Sequence, residues 1–228
     1  MKRTAKLTSL LFLMMAILLP QISFALQIPK VFATNMVLQQ QQPIPVWGTA
    51  KAGSKVTVTF ADQTITGKAN RDGKWMVKLP GQPANSKPQS MVVKGDDQTI
   101  TFENILIGEV WVCSGQSNMA MPMRGFKNQP VNGSHKAIVV SENMDIRLFK
   151  VQTEISERPQ ENFEGDWKLC EPGSVNNFSA TAYYFGKLLH QVLDIPIGLI
   201  VSSVGGTRIE PWMNEQAIDK FDFIKENE

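Results

Sequence analysis

Ser114-Gly115-Gln116-Ser117-Asn118 closes an apolar run, Val110-Trp111-Val112-Cys113, at a corner of small residues. A serine just beyond a buried strand is a candidate nucleophile for acyl transfer. The plain alternative is a polar loop after a strand. A second corner, Gly205-Gly206-Thr207, follows an apolar run at 196–204. Glycines let the backbone approach closely, so their N–H groups can point at a ligand oxygen. A serine with convergent backbone donors is the core of an acyl-transfer site. Gly205-Gly206 also fits a tight strand-to-helix turn with no chemical role. Position 119 is Met, not Gly, so the serine does not sit in the G-x-S-x-G elbow of the α/β-hydrolases.

These corners need a scaffold that brings them together. In an open α/β sheet, ligands bind beyond the carboxyl ends of the strands. Short apolar runs at 109–113, 145–151 and 196–204 read as strands covered on both faces, as parallel strands are. Between the last two, Phe178, Ala182, Phe185, Leu189 and Val192 fall on one helical stripe. Asn177 or Ser179 is placed to cap its start. A further helix is expected over 213–223. Strand and helix alternation of this kind predicts a doubly wound α/β region, with Ser117 and Gly205 on one rim if the strands are parallel.

The stretch before it has a different grammar. Val56, Val58 and Phe60 alternate with Thr57 and Thr59, and Trp75, Val77 and Leu79 with Met76 and Lys78. Turn clusters at 62–63, 70–73 and 95–97 punctuate the strands. This spacing predicts a small antiparallel β-sandwich, with a proline-bearing loop at 80–88. Trp47 and Trp75 are read as its core rather than as sugar platforms. Met119, Met121 and Met123 are read as loop and pocket packing.

The ends and the composition narrow the class. Lys2, Arg3 and Lys6 precede an apolar run at 10–19, and Ser23-Phe24-Ala25 supplies a small-x-small cut. This is the layout of a secretory signal peptide. The run is short for a permanent anchor, so no stable membrane insertion is expected after cleavage. The expected organisation is a signal peptide at 1–25, a β-sandwich at 26–107 and the α/β region at 108–228, in a secreted or periplasmic protein. Net charge is +2 over 228 residues, with no basic block interleaved with aromatics, which argues against nucleic acid as a partner. Two cysteines, Cys113 and Cys170, do not make a disulfide framework; an exported protein could pair them, and the other reading is two small buried hydrophobes.

At this point GEVWVCSGQSNM at 108–119, FSATAYYFGKLLHQ at 178–191 and PIGLIVSSVGGTRIEPWM at 196–213 together resemble the sialate O-acetylesterase family, a branch of the SGNH-type serine esterases. The resemblance covers essentially the whole chain after the leader, the β-sandwich included. It implies a three-layer α/β/α SGNH-type domain and removal of acetyl groups from sugars through an acetyl-serine intermediate. Ser117 matches the nucleophile. The Ser117 N–H and Gly205, with Gly206 the near alternative, match the oxyanion donors. No metal or organic cofactor is implied, and the partner is an O-acetylated sugar or glycan such as sialic acid. Gln116 and Asn118 beside the serine, and Arg208 and Trp212 after the glycines, are candidate substrate contacts. Arg208 has the fork geometry for a sugar carboxylate, and an ordinary solvent-facing arginine is its other reading.

The sequence departs from the family in one respect that bears on chemistry. The family's base is a histidine in an Asp-x-x-His block, and no such block occurs in these 228 residues. The two histidines are His135 and His190. His135 lies in a polar stretch, and His190 at the far end of the expected helix, so both are read as surface residues. The expectation is the N-terminal portion of a larger esterase, incomplete or inactive as it stands. The alternative is a non-catalytic carbohydrate-binding or interaction protein.

Overall fold

A computed structural model describes residues 25–156, 158–218 and 220–221. Residues 1–24 of the leader expected at 1–25 lie outside them. In chain order the elements are β1 (Val37–Gln39), β2 (Ile44–Thr49), β3 (Lys55–Phe60), β4 (Gln63–Lys68), β5 (Lys74–Leu79), β6 (Asn85–Gly95) and β7 (Gln98–Gly115). Next come the short helices α1 (Ser117–Ala120) and α2 (Ser134–Val139), strands β8 (Asn143–Lys150) and β9 (Trp167–Cys170), and helix α3 (Pro172–Val175). Helix α4 (Ala180–Leu193), β10 (Ile197–Ser203), a 3-10 turn at Glu210–Trp212 and α5 (Glu215–Ile218) complete the set. The molecule is therefore mixed α/β, with strands alone in its first part.

The period-2 pattern produces the early strands. In β3, Val56, Val58 and Phe60 are buried, and in β5, Trp75, Val77 and Leu79 are buried while Lys74, Met76 and Lys78 face out. Strand β3 turns into β4 through Ala61 and Asp62, both at positive φ, and β6 turns into β7 through Asp96 and Asp97, also both positive. Two-residue loops of this hand match the twist of the flanking strands. The sheet runs β4-β3-β6-β7-β10-β8-β9, β1 adds in parallel to β7, and β2 with β5 forms a separate two-stranded ladder. The proline-bearing loop expected at 80–88 is shorter, because β6 already pairs with β7 at Asn85. Register shifts at Gln89 accommodate the irregular start of that strand.

Strand β7 links the two parts. Its first half pairs with β6 in the β-rich part, and its second half, Glu109 to Gly115, pairs in parallel with β10. Position 107/108, where the two parts were expected to divide, lies inside this one strand. Gly108 marks the crossing: a Cβ there would come within 1.9 Å of the Pro196 carbonyl oxygen, so only glycine fits. Strand β10 is central, parallel to both β7 and β8.

Helix α4 packs on β10 and β8. Ser179 caps it, its side chain accepting from the Ala182 N–H at 3.2 Å. The expected stripe is rotated. Ala182, Tyr183 and Gly186 are buried, while Phe185 and Val192 are exposed. Glycine is required at 186 because the helix lies close on β10: a Cβ there would sit 2.5 Å from Leu199. On the opposite face, Phe149, Trp167 and Ile200 pack with the core of the β-rich part. The Trp167 indole donates to the Val31 carbonyl at 2.8 Å. After β10, the helix expected over 213–223 is a 3-10 turn and a single turn of α-helix, with 219 and 222–223 outside the described residues.

Candidate active site

The parallel pairing of β7 with β10 sets Gly115 opposite Ser203. Each chain then leaves the sheet on the same rim, with Ser117 two residues beyond the pair and Gly205 two residues beyond its partner. A Cβ placed on Gly205 would lie 3.8 Å from both the Cα and the Oγ of Ser117. The Val204 N–H donates to the Gly115 carbonyl at 3.2 Å and ties the two corners together. Gly115 has φ +143°, a backbone setting that L side chains avoid. Gly206 has φ +79° and open space beside it.

Ser117 is exposed and begins α1. The loop beneath it is held by the start of α4. Thr181 donates its hydroxyl to the Asn118 carbonyl at 3.0 Å, Ala180 N–H donates to Met121 O at 2.8 Å, and Met123 N–H donates to Phe178 O at 2.8 Å. Met123 is fully buried and Met119 packs partly against the same core, which accounts for two of the three loop methionines. A side chain on an exposed turn with a packed underside is held in place yet accessible.

Gln116 takes a place that its type and position alone do not reveal. Its side-chain oxygen accepts from the Ser117 N–H at 2.8 Å, and the Ser117 hydroxyl donates to the same oxygen. An amide carbonyl thus occupies both the N–H and the hydroxyl of Ser117. Asn118 is exposed, and its side chain makes no hydrogen bond among the described residues. Arg208 is also exposed and forms no ion pair among them. Trp212 donates its indole N–H to Thr207 Oγ1 at 3.0 Å, and Thr207 donates to the Val204 carbonyl at 2.9 Å. This chain fixes Trp212 beside a cleft of about 520 Å³ whose walls include Ser202, Ser203, Thr207 and Trp212. Sequence pattern does not locate that cleft, because its other wall, residues 151–156, comes from the loop after β8.

Neither histidine lies at the serine. His135 is exposed on α2. His190 is half-buried rather than solvent-facing, with its Nδ1 at 2.8 Å from the Ile195 carbonyl. It lies on α4 nine residues beyond Thr181, hence about 13 Å further along the helix axis from the Ser117 loop. The cysteines are both free and buried. Burial pushes the Cys113 thiol up and the Cys170 thiol up to about 12, so neither is a competing nucleophile at neutral pH. Among the described residues, no cluster of histidine, cysteine, aspartate and glutamate is placed to hold a metal ion, and no helix is long and apolar enough to cross a membrane.

An exposed serine and a glycine corner thus lie side by side at the carboxyl ends of parallel strands in a mixed α/β chain, the rim where open α/β sheets bind ligands. The family described as "Carbohydrate esterase, sialic acid-specific acetylesterase" matches residues 107–226. The chain belongs to this family. It is similar to sialate O-acetylesterase of Rattus norvegicus, at 31% identity over 229 aligned positions covering 90% of this chain and 41% of the relative. The Homo sapiens sialate O-acetylesterase is 33% identical over 203 positions, 81% of this chain and 38% of the relative. Among solved structures, a carbohydrate acetylesterase from Xanthomonas citri superposes with a TM-score of 0.80 at 32% identity, over 85% of this chain and 44% of that one. The chain thus spans about two-fifths of the length of these relatives.

Proposed function

We propose that the chain carries the nucleophile-bearing part of an exported carbohydrate O-acetylesterase, acting on O-acetylated sugars such as acetylated sialic acid. The carrying observation is the contact of Gly205 with Ser117 on one rim. In this reading the Ser117 Oγ attacks the acetyl carbonyl while its proton passes to a base. The tetrahedral oxyanion is held by the N–H groups of Ser117 and Gly205, with Gly206 the alternative donor. Collapse expels the sugar oxygen, which takes the proton, and leaves acetyl-Ser117. Water attacks that ester, releasing acetate and restoring the hydroxyl. No cofactor enters these steps. The substrate carbonyl must displace the Gln116 amide oxygen from the serine. In this reading Trp212 walls the cleft on the sugar side, and Arg208, exposed beyond the glycine corner, is the cation that would meet a carboxylate. In the same reading the β-rich part is a sandwich domain and the α/β part an SGNH-type domain.

A serine hydroxyl is a weak nucleophile without a base, and among the described residues neither histidine of the sequence hydrogen-bonds Ser117. This observation favours a second reading for the 228-residue polypeptide by itself, namely carbohydrate binding without turnover. The esterase reading is tested in a chimera that joins residues 26–212 to the remaining portion of the Xanthomonas citri carbohydrate acetylesterase. Acetate release from an O-acetylated sialic acid is expected, and Ser117→Ala should lower it by at least about a thousandfold. A folded chimera whose turnover is indifferent to Ser117→Ala would refute the assignment.

A further inference from the structure

A second cleft lies away from the serine, where the β-rich part meets the loop after β8. Its volume is about 620 Å³, within the range of small-molecule sites, and its walls include Trp47, Trp75, Asn70, Lys74, Glu161 and Asn162. Trp47 is half-buried, and an edge contact with Phe32, 4.7 Å between centroids at 78°, fixes its ring. Trp75 is fully packed, yet its buried indole N–H has no acceptor among the described residues. Buried donors of this kind call for a partner.

The polar groups are few and already oriented. Asn70 Oδ1 accepts from the backbone N–H groups of Asp72 and Lys74, each at 2.9 Å, which leaves its NH₂ to donate. Asn162 Oδ1 accepts from Lys30 N–H at 2.9 Å, which leaves its NH₂ likewise. Lys74 and Glu161 pair with each other across the cleft, so the charged lining cancels. An aromatic face beside amide donors, with no net charge, matches a pyranose ring, which offers an apolar C–H face and a rim of hydroxyls. A carboxylated sugar finds no unpaired cation there.

Asn162 also lines the cleft beside Trp212 and Thr207. Asn162 is thus part of the wall of both clefts. We propose that the Trp47 cleft binds neutral sugar residues of a glycan whose acetylated residue lies at the Ser117 rim. The substrate class is then an oligosaccharide rather than a free monosaccharide. The proposal rests on the esterase reading for its rim end only, since the Trp47 cleft binds sugar whether or not Ser117 turns over.

The test is calorimetric titration of the full chain with two neutral probes, lactose and cellotetraose. Saturable binding in the millimolar range is expected, tighter for cellotetraose and unchanged in Ser117→Ala. Trp47→Ala should weaken it about tenfold or more, and Asn162→Ala severalfold, each checked for native circular dichroism. Because Trp47 also packs against Phe32, Asn162→Ala is the variant that leaves the core intact. Weakening in either folded variant supports the cleft. No saturable binding of either probe, or binding that both folded variants retain in full, overturns it. Binding that persists while the chimera releases no acetate would remove the rim reading and leave this one.

Discussion

The β-rich part and the α/β part bury their strands to different extents. Val56, Val58, Phe60, Trp75, Val77 and Leu79 are all inside one core, closed by β1, β6 and the start of β9, which carries Trp167. Strand β7 is paired on both sides as far as Ile107 and Gly108. Beyond Gly108 it pairs with β10 alone among the described residues. There Val112 is 68% exposed, Trp111 is 42% exposed against an equally open Phe185, and Leu188 and Val192 face out from α4. A parallel strand is ordinarily covered on both faces. The same strand thus leaves a closed core and ends, with Ser117, on an open edge. The serine is positioned from below and from one side, by β10 and the start of α4, and its surroundings are open on the other.

That contrast can be broken by substitution. Phe60→Ala, in the closed core, should cost about 3–5 kcal/mol by chemical denaturation, because the vacated space cannot collapse. Val112→Ala, chemically the smaller change and on the open edge, should stay within about 0.5 kcal/mol. Equal costs would show that the edge is covered in solution. Val112→Lys should leave stability nearly unchanged yet reduce self-association in sedimentation at high protein concentration, since exposed apolar edges template pairing. A wild-type chain that stays monomeric throughout would contradict the open edge. The smallest difference concerns the thiols. With iodoacetamide at pH 8, both should react slowly in the native protein and at once in denaturant. Cys113, on the edge strand, should react faster than Cys170, which burial holds at about 12 and whose Sγ meets the Ser141 carbonyl at 3.1 Å.

Which features the sequence disclosed follows from what a local pattern encodes. Alternation in β3 and β5 is visible because each strand buries one face, and the run at 197–203 is visible because β10 is buried on both. The two small-residue corners stand out by type. Pattern is silent on pairing partners, so the Gly115–Ser203 register, which sets Gly205 against Ser117, emerges only from the fold. Helix α4 keeps Ala182 of the expected stripe inside but buries Tyr183 and Gly186 in place of Phe185 and Val192, and the close approach to Leu199 requires glycine at 186. Phe185 and Val192 are apolar and exposed, a combination that periodicity reads as core. The Gln116 side chain, turned back on Ser117, has no periodic signature at all.

The central claim is that the rim brings a serine and backbone donors together without a base among these residues. The most direct measurement is acetate release from an O-acetylated sialic acid by the purified chain 26–228, compared with its Ser117→Ala variant. The two rates should coincide within error, since neither His135 nor His190 reaches the hydroxyl. Robust turnover that disappears in Ser117→Ala would contradict the account and require one of those histidines, or a partner chain, to supply the base.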